Sequence, residues 1–306
     1  MLFNFVISLC LVAAQATATV VPRQTSPQDL RAISFNIRYA APGGTYERPW
    51  STRGPLVISQ LKQSTTSASE SGSVPIIGLQ EVLHQQLLDI KKGLGSNWAH
   101  LGTGRDDGKQ SGEYVPILYK TDTLKVLAST QKWLSLTPDK PSFWSGAGSR
   151  RYVVAAVFEV VGTGKRFIAA NTHLDNVSQE ARVEGVKIAL QTIRALQSQW
   201  GNALGVYLTG DFNSDPGSGD AYGTIDKDGY LDDLYNLATA GQRAGPYGTF
   251  SGFDPKAEPN NRIDFIWLGP NAATTWKVRR YEVLSNVVGG VYMSDHRPVV
   301  GDITLR

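Results

Sequence analysis

The stretch Leu208-Thr209-Gly210-Asp211-Phe212-Asn213-Ser214 places an acid and an amide two residues apart, directly after the apolar run Val206 to Leu208. In a strand, residues two apart share a face, so Asp211 and Asn213 would aim at one reacting atom while Phe212 turns into the core. Taken alone, Gly-Asp-Phe-Asn also reads as a polar turn. Its company raises it. Glu81 follows the apolar stretch Val74 to Leu79, Thr172-His173-Leu174-Asp175 follows Phe167 to Asn171, and Asp295-His296 precedes Val299 to Leu305. Carboxylates and imidazoles at strand ends hold hard cations, orient water and move protons, and open α/β sheets carry their ligands at the carboxyl ends of strands.

The elements that must position these groups alternate in type. Ala32 to Tyr39 reads as a strand with Ile33, Phe35 and Ile37 on one face, which leaves Ser34, Asn36 and Arg38 on the other. Leu56 to Leu61 suits a short helix, and the polar run Gln63 to Ser73 a flexible connection. The strand Val74 to Leu79 leads into a helix carrying Leu83, Leu87, Leu88 and Ile90. Gly102 to Gly112 is a charged, glycine-rich loop without phosphate-loop spacing, so its glycines carry no weight as a nucleotide cradle. Strands follow at Glu113 to Tyr119, Leu124 to Trp133 and Arg151 to Val161, the last two flanking a long loop with Trp144, Arg150 and Arg151. Val186, Ala189, Leu190, Ile193 and Leu196 form one stripe of a helix from Ser178 to Trp200. Arg262 to Trp267, Trp276 to Leu284 and Val299 to Leu305 complete the strands, and the alternation predicts a layered α/β domain.

At 306 residues, 41% hydrophobic and 19% charged, the chain has ample material for a large core, and nothing divides it, so residues 29–306 are expected to form one domain. A formal charge of +3 gives no general grip on polyanions, and any basic groove must be local. Leu2 to Ala14 followed by Ala16-Thr17-Ala18 fits a secretory leader cut after Ala18, although a basic n-region is missing. The expected product is extracellular, without a stable membrane anchor. The only cysteine, Cys10, lies inside the leader, so core burial or a bound metal must supply the stability. Asn176-Val177-Ser178 is a glycosylation sequon.

The order Asn36, Glu81, His173, Asp211 with Asn213, Asp264 and Asp295-His296 resembles that of the endonuclease/exonuclease/phosphatase superfamily of metal-dependent phosphoesterases. The resemblance runs from Ser34-Phe35-Asn36 to Ser294-Asp295-His296. Its most specific parts are Leu79-Gln80-Glu81-Val82, Asn171-Thr172-His173-Leu174, Gly210-Asp211-Phe212-Asn213, Arg262-Ile263-Asp264-Phe265 and Ser294-Asp295-His296-Arg297-Pro298. Phe35 to Tyr39, Gly104 to Lys109 with Gly112-Glu113-Tyr114, and Thr172 to Asp175 with Ala181-Arg182 resemble one branch, in which a second histidine often stands at the position of Asn176.

The resemblance implies a four-layered α/β sandwich, two mixed β-sheets packed face to face with helices on the outside. It implies a site in which Asn36, Glu81 and Asp295 serve Mg²⁺, or Mn²⁺. Asp211 and His296 would handle the attacking water, and Asn213 and His173 the phosphoryl oxygens. Asp264 would orient His296 and Glu113 would orient His173; which histidine moves the proton stays open. Arg38, Tyr114 and Arg151 are expected further phosphate contacts. The expected substrate is a phosphate ester, either nucleic acid or a small molecule. A phosphodiesterase or nuclease is slightly favoured over a phosphomonoesterase acting on a sugar or inositol phosphate. A secreted binding protein on the same scaffold is the rival from outside catalysis.

Overall fold

The computed structural model describes residues 27–254, 256 and 261–306. The expected leader over residues 1–18, with Cys10, lies outside them. In chain order the elements are β1 (Gln28–Asn36), α1 (Trp50–Glu70), β2 (Val74–Gln80), α2 (His84–Leu94), β3 (Trp98–Leu101), β4 (Ile117–Lys120), β5 (Leu124–Trp133), β6 (Tyr152–Val160), β7 (Arg166–His173), α3 (Gln179–Trp200) and β8 (Gly205–Asp211). There follow α4 (Ala221–Asp228), β9 (Asp232–Asp233), α5 (Leu234–Leu237), β10 (Arg243–Ala244), β11 (Asp264–Gly269), α6 (Ala272–Thr275), β12 (Trp276–Val283), β13 (Val287–Val288), β14 (Val291–Tyr292) and β15 (Val299–Leu305).

Seven strands bond in the order β10-β12-β15-β1-β2-β4-β3 and six in the order β5-β6-β7-β8-β11-β9. Both sheets are mixed: β1 runs parallel to β2 and antiparallel to β15, and β8 runs parallel to β7 and antiparallel to β11. Alternation along each strand then divides the apolar residues between layers. Leu30, Ile76 and Ile303 of one sheet meet Phe158, Phe167 and Tyr207 of the other in the central core. The opposite face of the six-stranded sheet, with Val153, Ile168, Leu208 and Trp267, packs under Val186, Leu190 and Ile193 of α3. Ile33, Phe35, Ile77 and Leu79 pack likewise under Val57, Leu61, Leu87 and Ile90 of α1 and α2. Burying each such side chain is worth about 1.5–3 kcal/mol, and the result is the four-layered sandwich, helices outermost.

Three element expectations are corrected. The first strand starts at Gln28 and stops at Asn36, so Arg38 lies in the loop beyond it. α1 has 21 residues and takes in most of the segment expected to be a flexible connection. Its inner stripe continues past Leu61 as Ser64, Thr65 and Ala68, small residues that pack as apolar ones would. Glu113 and Tyr114 precede β4, which begins only at Ile117, and Tyr114 makes a single bridge to Val82.

Between the sheets lies a polar layer. Gln80 Nε2 donates to Asn171 Oδ1 at 2.8 Å, Thr209 Oγ1 donates to the same oxygen at 3.1 Å, and Asn171 Nδ2 donates to the carbonyls of Leu79 and Pro116 at 2.7 and 3.1 Å. A Cβ at Gly78 would come within 2.2 Å of Thr209 Oγ1, so this layer forms only against a glycine. Among the described residues no helix is long and apolar enough to cross a membrane.

Candidate active site

The strand ends meet at one edge of the sandwich. β1 ends at Asn36, which pairs with Gln80, the residue before Glu81. In the other sheet His173 pairs with Asp211, and Asp211 pairs with Asp264. Register alone therefore sets these side chains on adjacent strands. Where the chain leaves the sheets its backbone is strained: Arg38, Glu81 and Asn213 have φ of 58°, 58° and 47°. Such conformations cost about 1–3 kcal/mol each and persist only where the surroundings impose them. Here Asn36 Oδ1 accepts the Arg38 N–H and Asp211 Oδ1 the Asn213 N–H, each at 3.0 Å, so each side chain turns the chain two residues on. Asn213 thus reaches the site from a tight turn and not from the pleat of a continuing strand. Phe212 is buried against Phe265, as expected.

Arg53 fixes the surrounding loops. Its guanidinium is fully buried and donates to the carbonyls of Ile37, Arg38, Tyr39, Arg48 and Met293. One side chain thereby joins the loop after β1 to the segment that leads to Asp295 and His296.

Asp211 lies at the centre, 1% exposed. Its Oδ2 accepts Asn36 Nδ2 at 2.9 Å and stands 3.4 Å from His173 Nε2 and 3.6 Å from His296 Nε2. Asn36 Nδ2 also donates to Glu81 Oε1 at 3.0 Å, so this one amide links the acid of the seven-stranded sheet to Asp211 of the six-stranded sheet. Asn213 Nδ2 lies 3.2 Å from His173 Nε2 and donates to the Leu174 carbonyl.

The two histidines sit in opposite fields. His296 Nδ1 lies 2.8 Å from Asp264 Oδ2. Burial disfavours its charge, but Asp264 and Asp211 outweigh burial and raise its pKa well above the ordinary value. His173 Nδ1 has no hydrogen-bond partner and stands 3.9 Å from Glu113 Oε2. Burial, with Arg151 and Arg105 nearby, lowers its pKa well below the usual range. Glu113 is instead held by Arg105 at 2.6 Å, so the expected direct orientation of His173 by Glu113 is absent from this arrangement. Burial pushes the Asp211 carboxyl up to about 7, with Asp264 adding to the effect and His296 opposing it.

Glu81, Asp211 and His296 each offer a ligand atom within 4.8 Å of one another. Asp295 lines the same cavity, and burial raises its pKa too. Crowded, buried acids facing one space fit a hard divalent cation, which takes carboxylate oxygens and relieves their repulsion. The expected set of Asn36, Glu81 and Asp295 is thus only partly what clusters. Asp211 and His296 stand with Glu81, while Asn36 turns its amide nitrogen toward both acids.

A cavity of ≈ 370 Å³ opens onto these groups. Arg38, Glu81, Glu113, Arg151, His173, Asp211, Asn213, Asp295 and His296 line it, while Asn36 and Asp264 are fully buried behind them. Tyr114 does not. It is buried, its hydroxyl donating to the Lys109 carbonyl and lying 2.9 Å from His84 Nδ1, so it clamps a loop and does not face the cavity. Tyr39 and Arg105, which fall inside motifs of the resemblance but carry no expected role, also line the cavity, as do Ser149 and Phe250, which no motif includes. A larger, open groove along α1, ≈ 800 Å³ and lined by Ile58, Lys62 and Thr66, gathers no comparable chemistry.

A model of the Endonuclease/Exonuclease/phosphatase family matches residues 33–296. The chain belongs to this family. Among solved structures, a family member from Bacteroides vulgatus is similar at 33% identity and a TM-score of 0.80, over 91% of this chain and 100% of that one. The mannosyl-6-phosphatase of Bacteroides thetaiotaomicron is similar at 32% identity and a TM-score of 0.75, over 90% of this chain and 99% of that one. Human Nocturnin, at 19% identity and a TM-score of 0.66 over 91% and 95%, shares the fold. A search of curated proteins found no match. Family membership makes the chain a hydrolase of phosphate esters.

Proposed function

We propose that this protein is a secreted, Mg²⁺-dependent phosphatase of small phosphate monoesters, with sugar phosphates as the leading substrate class. The observation that carries the reading is the ≈ 370 Å³ cavity in which acids, two histidines and the guanidiniums of Arg38, Arg105 and Arg151 converge. That volume suits a small ligand. A nucleic acid needs an extended basic track along its backbone, whereas these cations are gathered in one recess. The similar protein from Bacteroides thetaiotaomicron, named as a mannosyl-6-phosphatase, supports the same class. Secretion rests on the leader-like residues 1–18.

Glu81 and Asp211, with Asn36 and Asp295 beside them, would hold a divalent cation that supplies charge neutralisation for the phosphoryl oxygens. The remaining work falls to side chains. Asp211 orients the attacking water at Oδ2, midway between the histidines. His296, its Nδ1 fixed by Asp264, presents Nε2 as the proton-carrying group. Asn213 and Arg151 offer N–H donors to the phosphoryl oxygens, which carry negative charge from the bound ester onward.

The test is a panel of hexose phosphates, inositol phosphates, an activated phosphodiester and plasmid DNA, each with Mg²⁺ and with chelator. Phosphate release from hexose phosphates that chelator abolishes is the expected result. Plasmid nicking with the monoesters untouched would transfer the assignment to a nuclease. Inertness toward every ester would leave a binding protein on this scaffold. A precursor that enters secretory vesicles only with residues 1–18 intact would support export, and retention of the full chain would refute it.

A further inference from the structure

Asp175 lies two residues beyond His173 in the run Thr172-His173-Leu174-Asp175, yet it is not among the residues lining the cavity and the reaction above gives it no task. Its carboxylate, 1% exposed, accepts four backbone N–H groups. Val177 and Ser178 donate to Oδ1 at 3.0 and 2.8 Å, Ser149 donates to Oδ2 at 3.1 Å, and Gly148 reaches both oxygens at 3.1 and 3.0 Å. An aspartate just before a helix commonly caps it. That duty is already met, because Ser178 Oγ accepts the Ala181 N–H at the start of α3. The amides of Gly148 and Ser149 belong instead to the loop between β5 and β6, so one carboxylate ties together two loops that are separate in sequence.

Those loops supply one wall of the cavity: Ser149, Arg151 and Asn176. Arg151 is buried, and its Nη2 donates to Asn176 Oδ1 at 3.0 Å. Its Nε stands 3.6 Å from Asp175 Oδ2 and its Nη1 4.0 Å from Glu113 Oε2, and neither nitrogen makes a hydrogen bond. A buried donor left unused costs free energy. A guanidinium with spare N–H groups on the wall of such a cavity is a fork for anionic oxygens. Asn176 keeps its side chain at the same wall with its oxygen already engaged, which leaves its amide N–H groups as donors.

We propose that Asp175 is a positioning residue, which holds Arg151 and Asn176 in place to bind the anionic end of the substrate. This rests on the phosphoesterase reading, and the test separates the two. Inorganic phosphate binding is measured by calorimetry, and kcat and KM on whichever ester the panel finds best, for wild type, Asp175→Asn, Asn176→Ala, Arg151→Lys and the pair Asp175→Asn with Arg151→Lys.

Asp175→Asn is expected to weaken phosphate binding and to raise KM about tenfold each, with kcat falling less than about threefold. Asn176→Ala should move both in the same direction. The double variant should bind phosphate less weakly than the two single effects multiplied together, because the aspartate acts in part through the arginine. A lower Tm with phosphate binding and KM unchanged would make Asp175 a plain structural cap and overturn the proposal. Fully multiplying effects in the double variant would overturn it as well. If Asp175→Asn does not fold, Asn176→Ala decides: unchanged phosphate affinity rejects the wall, and weakened affinity upholds it. Wild type that binds phosphate but turns over no ester would remove the hydrolase reading and leave the wall standing.

Discussion

Asp264 and His296 form the tightest acid–imidazole contact in the site, with Oδ2 of the one 2.8 Å from Nδ1 of the other, deep beneath the cavity. Its counterpart, Glu113 and His173, stands open at 3.9 Å. The two histidines are therefore unequal, one held charged by its aspartate and the other neutral under burial and nearby arginines.

Asp264→Asn and His296→Ala are thus expected to cut kcat by about 10²–10⁴, the usual worth of a positioned proton-transfer group. Glu113→Gln should cost about tenfold or less. Steady-state kinetics on the best ester, with folding checked by circular dichroism, measures the ordering. Equal losses at Glu113 and Asp264 would contradict the inequality of the pairs.

Asp211→Asn should trade stability against activity. Burial disfavours the charged carboxyl and Asp264 adds to that cost, with His296 opposing both, and an amide of the same shape has no charge to bury. In chelator at neutral pH and above, the variant should melt no lower than wild type, while its turnover falls by orders of magnitude. Added Mg²⁺ should raise the wild-type Tm by more than the variant's. Thermal unfolding with and without Mg²⁺ reads both effects, and a large loss of stability in the variant would be the contrary result.

The metal-free protein should lose stability as pH rises past 6.5. Burial, with Asp264 beside it, holds the Asp211 carboxyl at about 7 against an ordinary 3.8, and His296 lies well above 6.5 because its aspartates outweigh burial. Groups raised on folding contribute stability on the acid side. Asp211 loses its share between 3.8 and about 7, and His296 from 6.5 upward through its raised value. His173, lowered by burial, works in the opposite sense, but only below 6.5; above that it is neutral folded and unfolded alike. Tm in chelator should fall from pH 6.5 into the alkaline range, and Mg²⁺ should flatten the slope. A Tm that is flat with pH in chelator would refute this.

Replacing Arg53 with Met should destabilise the fold by about 3 kcal/mol or more, since five carbonyls lose a buried donor together. The denaturant midpoint measures it. Arg53→Lys should recover part of the loss, because the charge remains but the fork does not. A midpoint within about 0.5 kcal/mol of wild type would show the carbonyls to be satisfied otherwise.

Much of the fold was legible in the sequence, because apolar runs ending in acids or histidines announce buried strands. Val299 to Leu305 forms a strand over those residues, and the stripe from Val186 to Leu196 faces the core of α3. α1 was read too short because Ser64, Thr65 and Ala68 carry its inner face without looking apolar. Within the site, the polar groups at strand ends could be picked out, but their partners could not. Arg105 finds Glu113 across a loop, Tyr114 turns toward His84, and Asn176 meets Arg151 across two loops. Such pairings depend on loop paths, which no short-range pattern encodes.

The polar layer of Gln80, Asn171 and Thr209 acts as a dowel between two greasy plates. Apolar faces alone would tolerate a small lateral slip of one plate over the other, since dispersion is indifferent to modest displacement. The amides are not, because any slip would strip them of acceptors in a dry interior. Alignment of Glu81 from one plate with Asp211 from the other is therefore locked some distance below the reacting groups, by residues that never meet the substrate.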